Sequence, residues 1–261
     1  MALKSQWFSR TSQPSLLGRV VGACAALGLF ALAGLGGGAA AQDGKAPAAQ
    51  AGADLSGVWQ TRGFQRRVQP MDGTETPWLP WTKEAFDKRQ AAEKAGSPLY
   101  DPTAACLPSG VPRIMAAPYP IEIIHTPTKV VILHEVQHLF RIIHLDRKEH
   151  PKNLTPSFFG HSIGHWEGDT LVVDTIGLND MTQIDEAGTQ HSDALHVVER
   201  IRKVDANTLE DIITIEDPKA FTKPWTARRL FSPKPGLRFM EYVCEEINRN
   251  APNAQGELRK F

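Results

Sequence analysis

Cysteine is scarce in this chain. There are three in 261 residues, and only Cys106 and Cys244 lie beyond the apolar N-terminal stretch that holds Cys24. Neither has an activating motif beside it, so a thiol nucleophile finds no support. Excess charge is missing too: 29 basic and 29 acidic residues cancel, which removes the basic footprint that a nucleic-acid partner requires. No charge run, coiled-coil repeat or internal repeat is present. Phosphate loops and dinucleotide fingerprints are absent. The one formal G-x-S-x-G match, around Ser162, runs on into a β-hairpin pattern and not into the helix that a nucleophile elbow needs.

What is present begins with a leader. Lys4, Arg10 and Arg19 precede an apolar, Gly-rich run from Val20 to Leu35, and Ala39-Ala40-Ala41 fits a small-residue cleavage site. Residues 1–41 therefore read as a secretory signal peptide, the run being shorter than the ~20 residues of a membrane span. The expected product is periplasmic or secreted, with no membrane span after cleavage. Residues 42–53 read as a flexible Ala/Gly linker, 54–248 as one domain and 249–261 as a disordered C-terminal tail. An oxidising compartment favours a Cys106–Cys244 bridge, the alternative being two buried thiols.

Residues 62–119 are long, irregular and proline-rich, the kind of segment that wraps a domain or lids it. One short helix is expected there, over 82–96, with Thr82 as cap and Gly96 as stop. Counting the first strand in "DLSGVWQT", ten β-branched or aromatic runs follow, the last being "LRFMEYVC", and turn residues separate them. The fold class is all-β, and an antiparallel barrel or a sandwich solves the pattern.

The pair His161 and His165 would chelate on a helix. On a strand, residues four apart are separated by ~13 Å, so the two cannot grip one ion. A tight Gly168-Asp169 turn pairs His165 with Val172, Ile163 with Asp174 and His161 with Ile176. Gly164, Trp166, Leu171 and Val173 then share an apolar face, while His161, His165 and Asp174 share the other. A histidine held by a carboxylate is a proton-transfer unit or an oriented ligand. For "HVVERIRKVDANTLEDIITIED", matching charges across a four-residue turn at Asp205–Thr208 pairs Arg202 with Asp211, Lys203 with Glu210 and His196 with Asp217. Glu199 falls on the apolar stripe, either as an acid–base group or salt-bridged to Arg228 or Arg229. All nine histidines lie between His125 and His196, and His161, His191 and His196 could converge on zinc, copper or iron.

Two resemblances add to this reading. Gly57-Val58-Trp59 is similar to the G-x-W that opens the first strand of lipocalins, where an arginine from a late strand covers the Trp; Arg229 or Arg238 could serve here. Five ordered blocks over residues 54–248, among them "GHSIGHWEGDTLVVDT" and "DPKAFTKPWT", resemble a large group of secreted bacterial proteins without an assigned activity. Those blocks centre on Cys106, His161, Trp166, Asp174, His196, Glu199, Arg200, Trp225 and Cys244, whereas His144 and His165 stand at more variable positions. The resemblance implies a lipocalin-like antiparallel β-barrel of about 8–10 strands. The expected function is binding of a small apolar or aromatic molecule, without a cofactor. His161, Asp174, His196, Glu199 and Arg200 would act as polar or catalytic groups, and Trp166, Trp225 and His191 as ligand contacts. The alternative is a cofactor-independent lyase, isomerase or hydrolase in the same barrel, with metal assistance through the histidines as a variant.

Overall fold

Nine strands in chain order close on themselves, each paired to the next and the last to the first. The computed structural model describes residues 52–96 and 101–244. The expected signal peptide, nearly all of the linker and the C-terminal tail lie outside those residues. The strands are β1 (Gly57–Thr61), β2 (Ile121–His125), β3 (Lys129–His134), β4 (Leu139–His144), β5 (His161–Glu167), β6 (Thr170–Ile176), β7 (His196–Asp205), β8 (Thr208–Glu216) and β9 (Trp225–Pro233). Among the described residues one α-helix is assigned in full, α1, which spans Pro80–Lys94. It starts two residues before Thr82, because Pro80 takes the first helical position, where its missing N–H is no loss. Thr82 instead donates its hydroxyl to the carbonyls of Leu79 and Ala220, at 2.8 and 2.7 Å. Among the described residues, no helix is long and apolar enough to cross a membrane.

Period-two burial drives closure. In β3, for example, Val130, Ile132 and His134 are buried and alternate with half-exposed neighbours. The inward positions join Trp59, Ile123, Ile143, Val173, Ile201, Ile213 and Phe231 in one core. β1 closes the ring against β9 through Trp59–Pro233 and Thr61–Phe231. With both edges used, "LRFMEYVC" has no strand to pair with. It runs as irregular chain, tied instead by Met240 N–H to Glu135 Oε2 at 2.8 Å and by the Cys106–Cys244 disulfide.

One pairing departs from antiparallel order. β4 and β5 run parallel and share only Ile143–Ser162 and His144–Ile163. The connection between parallel neighbours must return the length of the barrel, and residues 145–160 do so. The β5–β6 hairpin has the expected register throughout. The β7–β8 register is one residue off the expected one. Arg202 faces Glu210, Lys203 faces Leu209 and His196 faces Glu216, with a bulge between Lys203 and Asp205. The turn is shorter than expected because Asp205 pairs directly with Thr208, and its carboxylate caps Asn207 N–H at 2.7 Å.

The proline-rich segment lies over the barrel end where β3 stops and β4 begins. Val111, Ile114 and Met115 are fully buried in the common core. Ala117 and Pro118 accept hydrogen bonds from Thr61 Oγ1 and Gln60 Nε2, at 3.1 and 3.2 Å, at the end of β1.

Candidate functional site

Three features with chemical potential emerge, one outside the barrel wall, one inside it and one at the covered end. Outside, β5, β6 and β7 turn His161, Asp174 and His196 outward, and the structure brings these three together. The agent is a residue that sequence reasoning missed. His150, on the returning β4–β5 connection, bonds His161 Nδ1 through its own Nδ1 at 2.8 Å and Asp174 Oδ1 through Nε2 at 2.9 Å. Asp174 Oδ2 meets His196 Nε2 at 3.1 Å, and His196 Nδ1 meets Glu216 Oε2 at 3.3 Å. The result is a continuous chain, His161–His150–Asp174–His196–Glu216. With Asp174 accepting from Nε2–H of His150, a neutral His150 accepts at Nδ1 from His161. The lone pair of His161 is then left on Nε2, which meets no described partner. Burial, then the neighbouring His150 and His144, hold the pKa of His161 below the usual imidazole range. The ring of His144 stacks on it at 5.2 Å.

Inside, seven consecutive strands each turn one buried polar side chain inward: His134, Arg141, Ser162, Thr175, Glu199, Asp211 and Arg229. Glu199 is therefore on the opposite side of the wall from His161, Asp174 and His196. Its partner is neither Arg228 nor Arg229 but Arg141, which spans the interior from β4 to β7. Arg141 bonds both oxygens of Glu199, Nη1 to Oε1 at 2.9 Å, and donates further to Ser162 Oγ at 3.2 Å and Thr175 Oγ1 at 2.8 Å. Every nitrogen of that guanidinium is used, as an ion pair in a dry core demands. The other groups are not so served. Neither ring nitrogen of His134, neither oxygen of Asp211, nor Nε and Nη2 of Arg229 bonds any described residue. Burial, aided by the Arg141 charge, lowers the His134 pKa to about 3. Burial and then the neighbouring Glu199 push Asp211 well above the usual carboxylate range. His134 is thus neutral near pH 7, and the protonated form is favoured at Asp211.

The remaining predicted residues have plainer surroundings. Arg200 faces outward and pairs with Glu167 at 2.8 Å. His191 is buried in the β6–β7 connection, with Nε2 on Thr182 Oγ1 at 2.8 Å and Nδ1 on Ser192 O at 2.9 Å. Its nitrogens are committed there, and among the described residues no three His, Cys, Asp or Glu side chains are arranged to share a metal ion. Trp166 packs on the core beside His125. Trp225 stands edge-on to Phe221 and walls a small cavity of about 170 Å3 with Pro70 and Pro77. Over Trp59 lies Lys203, its ammonium 5.4 Å from the ring, where Arg229 or Arg238 was expected.

At the covered end lies a cavity of about 320 Å3. Its apolar wall is Phe64, Ala116, Ala117, Pro118 and Val136, and Tyr119 and Tyr242 line it as an edge-on pair 5.3 Å apart. Gln65, Thr103, Ser109 and Gln137 add polar groups. Arg113, also lining it, is held by Asp101 through bonds of 3.0 and 2.7 Å. Burial works to raise Asp101, but the bonds and charge of Arg113 outweigh it and hold the carboxyl below its usual range. Cys244 contributes to the wall, and the bridge to Cys106 ties the C-terminal segment to the turn that carries Thr103. None of the residues singled out as catalytic or ligand-binding lines this cavity. Its residues come from the proline-rich segment, the 3-10 turn after β3, Glu186 in the β6–β7 connection and the C-terminal run, where no periodicity marks them.

No protein-family model matches the chain, and no curated protein matches it.

Proposed function

We propose that this protein binds a small molecule with an aromatic or apolar body in the cavity at the covered end of the barrel, in an oxidising compartment, the periplasm or the outside of the cell. The cavity itself is the observation that carries the reading. At about 320 Å3, with apolar and tyrosine walls and a few polar groups, it has the size and lining of a small-ligand site. The Cys106–Cys244 bridge supports the compartment, and the ligand would sit at a barrel mouth in lipocalin-like fashion. The test is native mass spectrometry of protein recovered from the periplasmic and secreted fractions of its own host. The expected result is an oxidised chain carrying one small organic molecule, which is lost in Ala117→Trp, where an indole fills the cavity. Recovery from the cytosol alone, or equal occupancy in the filled variant, would overturn the proposal.

A second reading, acid–base chemistry, is favoured by one observation: His150 completes the chain from His161 to Glu216. A base oriented by a second histidine and a carboxylate is the arrangement general base catalysis uses. Molecules that co-purify with the protein should then be chemically altered on incubation, and His150→Ala should abolish the change while the co-purified molecule still binds. Absence of any alteration by the wild type sinks this reading.

A further inference from the structure

The connection from β4 to β5 is tied to the barrel at its two ends. Leu145 N–H bonds Thr128 O at 2.8 Å where it begins, and Ser157 N–H bonds Gly177 O at 3.0 Å near its close. Between those ties, residues 146–156 make no backbone hydrogen bond to a described residue. Their side chains make two, and both belong to His150. One reaches Asp174 and the other His161, so a single imidazole pins the middle of the connection to the outer wall.

The His150–His161 bond joins two Nδ1 atoms at 2.8 Å, so one must donate and the other must accept. In the uncharged pair His161 donates, and its lone pair sits on the buried Nε2, which meets no described partner. One added proton takes that lone pair and still leaves a single hydrogen between the two Nδ1 atoms. A second puts a hydrogen on both, and two N–H groups then point at each other.

The charges around the pair decide how readily this happens. Asp174 of β6 answers one proton, but His196 of β7 shares that carboxylate and Glu216 of β8 lies beyond His196. On β5 itself, His165 and Glu167 bond each other, and Arg200 of β7 pairs with Glu167. Against a second charge stand His144 of β4, its ring at only 10° to that of His161, and Arg147 of the connection. Asp146, 3.8 Å from His144 Nδ1, offsets Arg147 and Lys129 of β3 at that ring only in part. Burial first, then these neighbours, holds His161 and His144 below their ordinary value of 6.5. Uncharged imidazoles of this kind supply stability that is complete above the ordinary value and lost as the pH falls below it.

We propose that His150 and His161 form a two-proton latch, which fastens the β4–β5 connection to the barrel in neutral solution and releases it in acid. The first proton is accommodated beside Asp174, and the second breaks the bond. Once released, the middle of the connection keeps no hydrogen bond to the wall, and the parallel seam rests on the two residue pairs of β4 and β5. No covalent bond is made or broken, and both protons come from solvent. The latch does not depend on the cavity at the covered end.

Backbone 15N relaxation of the full chain tests it, with the ring 15N signals of His150 and His161 followed as the pH is lowered from about 7.5 to about 4.5. Order parameters of residues 147–155 should drop from the rigid range, about 0.85, to below about 0.6, while β7 and β8 stay rigid. The drop should accompany the second protonation of the pair. In His161→Phe, which keeps a ring and loses the nitrogen, the connection should be mobile at every pH. No drop across the range, or an equal drop in β7 and β8, would overturn the proposal. So would a folded His161→Phe whose connection stays ordered or still loosens with acid. Should that variant not fold, the wild type decides, since release before the second proton binds also overturns the latch.

Discussion

Arg141 and Glu199 show how a single side chain can carry more structural consequence than its strand. Each is buried to 2 % exposure or less, and each is tolerable only because the other is there. Removing one partner of a buried pair leaves an uncompensated charge, which typically costs about 3–5 kcal/mol, whereas replacing both with apolar groups is often close to neutral. Urea unfolding should therefore show Arg141→Met and Glu199→Gln each destabilised by about that amount, and Arg141→Met with Glu199→Leu restored to within about 1 kcal/mol of the parent. Single variants losing less than about 1 kcal/mol, the scale of an exposed pair, would show that the pair is solvated. The inward position of Glu199 was legible, since it shares parity with Val197 and Ile201. Arg141 and His134 share the parity of Ile143 and Ile132 in the same way, and that alternation could have revealed them. The pairing of Arg141 with Glu199 could not be read from sequence, because it spans the barrel interior and depends on ring closure.

Among elements, legibility followed how far local turn chemistry alone fixed the pairing. The β5–β6 hairpin was readable residue by residue because a Gly168-Asp169 turn admits one register. The β7–β8 hairpin was misread by one residue. Charge matching was satisfied by Arg202–Asp211, while the bulge before Asp205 places Arg202 against Glu210, 3.1 Å away. A bulge shifts register without leaving a compositional mark. The outward histidine chain was half legible for a related reason. Strand parity placed His161 and Asp174 on one face, and His196 also proves to face outward. His150 arrives on a connection that exists only because β4 and β5 are parallel, a pairing no local pattern announces. The face was readable; the residue that links it was not.

At the scale of the whole molecule, closure decides both what is buried and where a ligand can go. Nine strands leave no free edge among the described residues, so the last apolar run crosses the covered end instead of extending the sheet. There it meets the proline-rich segment, is bridged to it by Cys106–Cys244, and supplies Tyr242 to the cavity. The all-β class was readable from alternating runs and turns, which left barrel and sandwich open until the lipocalin-like resemblance pointed to the barrel. The cavity was not, because it is walled by irregular chain from four separate parts of the sequence. The claim on which the account rests is that this cavity, and not the outward histidine face, receives the ligand. A crystal structure of the wild-type protein with 2-naphthamide tests it most directly. The account predicts the naphthyl ring in van der Waals contact, within about 4.5 Å, of Tyr119, Tyr242 and Val136. A ring seated against His161 and His196, or anywhere else on the barrel, would contradict it.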